Sequence, residues 1–185
     1  MASCYISTGY TLDCRTSSTG GIKNMWILGG ASNDISGYTV TNSQITAMSG
    51  TGTWYLFQLP KQAGSLTETL GVNTTVQSVT FQPEVIVNLP KLDTQLRDVF
   101  VDLVSQNSIY CIIEDNNNRY WAVGIDNGLQ VTAGSVGTGT AYTDINGASA
   151  LTMSGGEPTS IREFSQTTTS ALDAMLTAGG FTFES

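Results

Sequence analysis

The chain has 185 residues, a formal net charge of −8 and no histidine. That length is near one domain and long enough to bury a core. The missing histidine excludes Ser-His-Asp triads, Cys-His pairs and two-His metal sites, and the seven Lys and Arg residues, spread singly, leave no cluster able to neutralise a row of phosphates.

An apolar fraction of 40% is globular, while 20 glycines and only 12% charged residues in a chain rich in Thr, Ser and Asn suit strands and turns better than helices. The expected fold is therefore mainly β. Cys4, Cys14 and Cys111 form an odd set without a CxxC spacing, which reads as reduced thiols in a protein made in the cytoplasm. There is no basic stretch followed by an apolar core and cleavage site, and no run approaches 18 apolar residues. Export by that route and membrane spanning are not expected. The Asn73-Thr74-Thr75 sequon is a chance match in a Thr-rich chain.

In chain order, residues 1–21 end in Ser17-Ser18-Thr19-Gly20-Gly21 and read as an arm or weak strand. Ile22 to Leu28 is a strand whose Met25-Trp26-Ile27-Leu28 is apolar on both pleat faces, so both sides should be covered; Gly29 and Gly30 should stop it. Tyr38 to Thr41 and Gln44 to Met48 read as short strands about an Asn42-Ser43 turn. Thr51 to Leu59 sets Tyr55, Phe57 and Leu59 on one face and Trp54 and Leu56 on the other. Gln62 to Val72, polar and holding Gly64 and Gly71, reads as a long loop. From Val76 to Leu89 apolar and polar residues alternate over about 45 Å of strand at 3.3 Å per residue, and Pro83, which cannot donate to a ladder, marks an edge or a bulge.

A helix is expected at about 92–105. Leu92, Leu96, Val99, Phe100, Leu103 and Val104 share one face of a 3.6-residue period. Pro90 stands at the entry, and Asp93, Thr94, Gln95, Asp98 and Asp102 take the wet side. Burying six such side chains is worth roughly 10 kcal/mol gross, so a sheet should lie beneath. Ile109 to Glu114 and Arg119 to Ile125 read as strands about the polar turn Asp115-Asn116-Asn117-Asn118. Asp126-Asn127-Gly128 is a hairpin signal leading into Leu129 to Val131. Gly134 to Gly139 reads as loop, Asp144-Ile145-Asn146-Gly147 as a turn and Ala148 to Ser154 as a strand. Ile161 to Phe164 completes a domain spanning 22–164. Residues 165–185 supply a short helix, Thr169 to Thr177, stopped by Gly179-Gly180, and a strand-like Phe181-Thr182-Phe183 that should dock on this chain or a neighbour.

Several patterns touch chemistry without committing to it. Asp115, Asp126, Asp144 and Glu157 recur near strand ends, as a paired-carboxylate glycosidase would need, yet Asp-Asn and Asp-Asn-Gly are turn chemistry. Asp115-Asn116-Asn117 lacks the glycine and closing glutamate of a calcium loop. Gly134, Gly137 and Gly139 do not match a phosphate-binding order. Cys111, between Ile109 and Ile113, reads as core. Trp26, Trp54 and Trp121 suit either a sugar-stacking platform or packed strands, and packing is the commoner use. Hence no catalytic residue, cofactor or metal ligand is assigned.

The segments Asn118-Arg119-Tyr120-Trp121-Ala122-Val123-Gly124, Asp126-Asn127-Gly128-Leu129 and Gly137-Thr138-Gly139-Thr140-Ala141, on through Asp144-Ile145-Asn146-Gly147 to Glu157 with the preceding helix, form a series. Over about residues 54–164 it resembles structural proteins of tailed bacteriophages, of the tail-tube and tail-connector kind. That resemblance implies a β-sandwich or half-barrel with a flanking helix, forming a six-fold ring whose rings stack into a conduit for genomic DNA. Its partners would be itself and other virion tail or connector proteins, with DNA passing but not tightly bound, no membrane, and a place in the virion tail. If four strands from each of six copies close a barrel, the circumference is roughly 115 Å before tilt widens it, enough for a duplex. Gln44 to Met48, Thr51 to Leu59 and Thr75 to Asn88 are the strands expected to face the lumen. An acidic, hydroxyl-rich wall would offer passing phosphates few counterion-releasing contacts. The alternatives are a head-tail connector or capsid-attached module, a carbohydrate-binding β-sandwich for host attachment using Trp54 or Trp121, and, third, an enzyme.

Overall fold

In the computed structural model of the chain, residues 19–75, 77–89, 94–137 and 149–184 are described. Cys4 and Cys14, most of the N-terminal arm, Leu92, Asp93, Gly139 and the Asp144-Ile145-Asn146-Gly147 turn lie outside them, as do the side chains of Gln95 and Leu96. The fold is mainly β, with a curled half-barrel sheet and two helices.

The first two strands, β1 (Ile22–Thr41) and β2 (Gln44–Gln58), form one long hairpin. Strands usually run 3–10 residues, and these exceed that because each is apolar on both faces where it crosses the core. Gly29 and Gly30 do not stop β1, contrary to expectation. Pairing jumps there from Gly29 opposite Thr53 to Asp34 opposite Thr51, so β1 absorbs extra residues as a bulge and continues. A side chain at Gly29 would meet the Tyr55 ring at 3.1 Å, which accounts for glycine at the bulge's edge. Asn42 and Ser43 turn the hairpin with φ of 52° and 66°, the doubly left-handed geometry that matches strand twist.

The segment read as a loop is a strand, β3 (Gly64–Asn73), paired along its whole length with β4 (Ser78–Leu89). Ser65, Thr67 and Thr69 do alternate with Leu66, Leu70 and Val72, but the two glycines and Glu68 on the apolar row mask the period. Pro83 lies in an interior strand, neither at an edge nor at a bulge. The ladder from β4 to its other neighbour is interrupted at Pro83, whose carbonyl accepts from Gly155 N–H at 3.4 Å, and the same register resumes where Phe81 and Glu157 exchange backbone hydrogen bonds of 3.0 and 2.7 Å.

After helix α1 (Thr94–Ser105) come β5 (Cys111–Asp115), β6 (Tyr120–Val123), β7 (Gln130–Val136), β8 (Ser149–Ser154) and β9 (Arg162–Glu163), then helix α2 (Thr169–Ala178) and β10 (Thr182–Phe183). One sheet runs β10-β2-β1-β5-β6-β9 and the other β3-β4-β8-β7. The Asp126-Asn127-Gly128 turn is thus not a hairpin: β6 pairs with β5 and β9, and β7 pairs with β8. The chain changes sheets there, where Ile109 and Leu129 exchange mutual backbone hydrogen bonds of 2.8 Å. Gly134, expected in a loop, lies within β7.

The two sheets face each other across Met25, Ile27, Ile113 and Val123 on one side and Val85, Val87, Leu151 and Met153 on the other, all buried. Phe100 and Leu103 of α1 close that core, with Val99 packed beside them, and Asp98 and Asp102 are exposed as expected. Val104, expected on the buried face, is exposed together with Val101, because the helix lays only a narrow stripe on the sheets. The opposite face of the six-stranded sheet buries Trp26, Leu28, Ile112 and Tyr120 under Leu172 and Leu176 of α2 and under Phe181. Thr168 caps α2 by accepting from Ala171 N–H, and the helix ends at Gly179. The C-terminal strand docks on its own chain, parallel to β2 with Phe183 opposite Trp54.

Candidate functional site

Of the four carboxylates with possible catalytic spacing, Asp144 lies outside the described residues, and the other three do not assemble into one site. Asp115 closes its own turn, one oxygen accepting from Asn117 N–H at 2.8 Å and Arg119 N–H at 2.9 Å and the other from the Trp121 indole at 3.3 Å. Asp126 and Glu157 do meet at the sheet-to-sheet crossover. The buried Glu157 accepts from the backbone N–H of Asp126 (3.1 Å) and Asn127 (3.2 Å). Asp126 accepts from the Tyr38 hydroxyl at 2.9 Å and the Thr159 hydroxyl at 2.6 Å. Burial raises the Glu157 carboxyl's pKa and the N–H donors pull it back; burial and then Asp126 raise the Tyr38 hydroxyl's. Every named oxygen is spent on holding backbone or hydroxyls, so the cluster anchors a loop.

Two further carboxylates do the same work and carry no sequence motif. Glu114, buried on β5, accepts from Lys23 Nζ at 2.7 Å and Asn24 Nδ2 at 2.6 Å. Glu68 accepts from the Ser160 hydroxyl at 2.6 Å and Ile161 N–H at 2.7 Å, tying β3 to the strap between Glu157 and β9. Among the described residues no group of three or more His, Cys, Asp or Glu side chains is placed to hold a metal ion, and no helix is long and apolar enough to cross a membrane. Cys111 is fully buried and its thiol is pushed up to about 12, so it is not a nucleophile. Trp26 and Trp54 are buried, the first stacked on Phe183 at 5.4 Å and the second tilted on Phe181 at 5.8 Å; with Trp121 half-buried against Asp115, the three do not form one exposed platform.

What the fold does present is the four-stranded sheet. Its edge strands β3 and β7 have no further strand partner among the described residues. Its core-facing row is apolar apart from Glu68. The opposite row carries Ser65, Thr67 and Thr69 on β3, Gln82, Glu84, Ile86 and Asn88 on β4, Ala150, Thr152 and Ser154 on β8, and Gln130, Ala133 and Ser135 on β7, as the pairing register fixes. One carboxylate, Glu84, and no Lys or Arg lie on that face.

Comparison with protein-family models, curated proteins and solved structures finds no match. The function therefore has to be argued from this sheet and from its surroundings. The alternation on β4 and β8 is legible in the sequence. The two open edges are not, because they depend on β7 leaving β6 for the other sheet.

Proposed function

We propose that this chain is a non-enzymatic virion structural protein of tailed bacteriophages that self-assembles into rings, stacked as a tail tube or tail-like conduit for DNA. The observation that carries this reading is the four-stranded sheet, open at both edges among the described residues and with an outer face of hydroxyls, amides, a few aliphatic side chains and a single carboxylate. The strands alternate in direction, so β3 and β7 run antiparallel to each other. An even-stranded sheet of this kind can add the β3 edge of one copy to the β7 edge of the next and keep an unbroken antiparallel ladder. Such a contact is heterologous, and repeated with a fixed rotation it closes into a ring. Closure also removes two exposed edges that would otherwise template aggregation.

Six copies contributing four strands each would give a circumference of roughly 115 Å, or a diameter of roughly 37 Å before tilt. The wall of that barrel is the outer face of β3, β4, β8 and β7. This moves the lumen away from Gln44 to Met48 and Thr51 to Leu59, which lie along β2 of the six-stranded sheet and its end, and keeps only the β4 part of the third expected strand. A wall with no Lys or Arg holds no phosphates by counterion release, so DNA can pass without being retained. Electron microscopy of the purified chain across a range of salt, alone and with other virion proteins, tests the reading. Rings are expected, and monomers under every condition would refute it.

A further inference from the structure

We infer that the cleft between α1 and the hairpin of β1 and β2 is a binding site for a small organic cation, an amine carried on an aromatic or aliphatic body. The cleft lies against the six-stranded sheet, away from the face assigned to the conduit, so binding there does not depend on ring formation.

The pairing register explains why a cleft opens there. Met25 and Ile27 of β1 pair with Phe57 and Tyr55 of β2, so these four share one row of the sheet, and α1 packs Val99 and Leu103 into the same core. The helix ends at Ser105 and β5 pairs with β1 only as far as Ile27, while β1 and β2 run on to the bulge at Gly29. Tyr55 is left 42% exposed, although its cross-strand partner Ile27 is buried. The result is a cleft of about 500 Å³ with an apolar lining of Ile27, Tyr55, Phe57, Val99 and Leu103. That volume is within the range of roughly 300–1,000 Å³ usual for small-molecule sites.

The polar groups at this cleft carry one sign. Asp102, in the last turn of α1, and Glu184, on the C-terminal tail, both border it and are exposed, and neither forms an ion pair among the described residues. The last turn of α1 holds no basic residue, so Asp102 adds its charge to the negative end of the helix dipole instead of offsetting it. Gln106, just past the helix, also lines the cleft, and its Oε1 is buried without a hydrogen-bond partner among the described residues; a buried acceptor in that state favours an incoming N–H donor. No Lys or Arg lines the cleft among the described residues. With no group of three or more Cys, Asp or Glu side chains placed to hold a metal ion, the compensating charge must arrive on an organic head. The rings of Tyr55 and Phe57 suit both parts of such a ligand, packing on its body and attracting its charge. Anions are repelled, and a neutral body gains only burial.

Isothermal titration calorimetry of the full chain with three probes of one shape, phenethylamine, 2-phenylethanol and phenylacetate, tests the site. Phenethylamine should bind once per chain, roughly tenfold or more tightly than 2-phenylethanol. Added salt should narrow that difference, and phenylacetate should not bind. Asp102→Asn and Glu184→Gln, both at exposed positions, should keep the circular dichroism of the wild type. Asp102→Asn should weaken phenethylamine about tenfold, the size of one lost charge-assisted hydrogen bond, and leave 2-phenylethanol unchanged; Glu184→Gln should act in the same direction. Equal binding of amine and alcohol, no saturable binding of phenethylamine, or wild-type affinity in both variants would each overturn the site. An affinity for phenethylamine that fell as protein concentration rose would show the cleft covered by a second copy, and would overturn it as well.

Discussion

Removing the Phe181 ring should destabilise the isolated subunit severely. Phe181 is 3% exposed, 5.8 Å from Trp54 across tilted rings, and packed with Leu172 and Leu176 of α2 beneath the six-stranded sheet. Truncating such a ring to alanine costs about 3–5 kcal/mol, against a total stability of about 5–15 kcal/mol for a folded domain. The cost should fall toward the upper part of that range, because Phe181 also anchors its C-terminal neighbours: Phe183 stacked on Trp26, Glu184 N–H donating to Trp54 O at 2.9 Å, and the Trp26 indole donating to Glu184 O at 2.9 Å. Urea unfolding of Phe181→Ala, followed by tryptophan fluorescence at two protein concentrations, measures the loss directly. The loss should be independent of concentration, since the tail docks on its own chain. A loss below about 1 kcal/mol, the size of an ordinary surface change, would refute the claim that this segment completes the core. A loss that shrank toward zero at low concentration would mean the tail is exchanged between copies.

Phe100→Asp sets an unpaired charge into the core between the sheets and should abolish folding, whereas Asp98→Asn and Asp102→Asn, on the exposed side of α1, should change stability by less than about 0.5 kcal/mol; circular dichroism with thermal melting separates the two outcomes, and a folded Phe100→Asp variant would show that α1 does not close the core. Glu157 has a folded-state pKa raised above its ordinary 4.5, so the folded chain holds that proton more tightly and the group's contribution to stability falls as pH rises from about 4.5 through the raised value. Stability of the wild type relative to Glu157→Gln should therefore decline over that window, and a flat or rising difference in urea melts would contradict the burial argument. Glu84→Lys replaces the single charge on the outer face of the four-stranded sheet with six cations per ring; rings should persist and gain DNA retention that disappears with added salt, and unchanged DNA behaviour would place that face outside the conduit.

The parts of the fold that were legible in the sequence are those where one pattern dominates locally. Met25-Trp26-Ile27-Leu28 announces a strand covered on both sides, Asn42-Ser43 a turn, and the run from Leu96 to Leu103 a helix. The misreadings come from local chemistry overruled at a distance. Gly29-Gly30 looks like a terminator but serves as a bulge under the Tyr55 ring. Gly64 and Gly71 hide the alternation of β3, which is a strand because β4 pairs with it throughout. Asp126-Asn127-Gly128 has hairpin chemistry, yet a carboxylate about thirty residues later captures its backbone N–H groups and sends the chain to the other sheet. Of the carboxylates suggestive of catalysis, the buried Glu157 holds backbone N–H groups, Asp115 closes its own turn, and the exposed Asp126 accepts from the Tyr38 and Thr159 hydroxyls. The open edges of β3 and β7 follow only from topology, which no local pattern encodes.

The central claim, that the four-stranded sheet lines a ring-shaped conduit, is tested most directly by a cryo-electron microscopy reconstruction of the assembled protein at a resolution that separates strands. The account predicts β3 of each copy hydrogen-bonded to β7 of the next, four strands per copy around the lumen, and Thr67, Glu84 and Thr152 facing the channel. A ring in which β3 and β7 remain unpaired, or in which those three residues face outward, would contradict it.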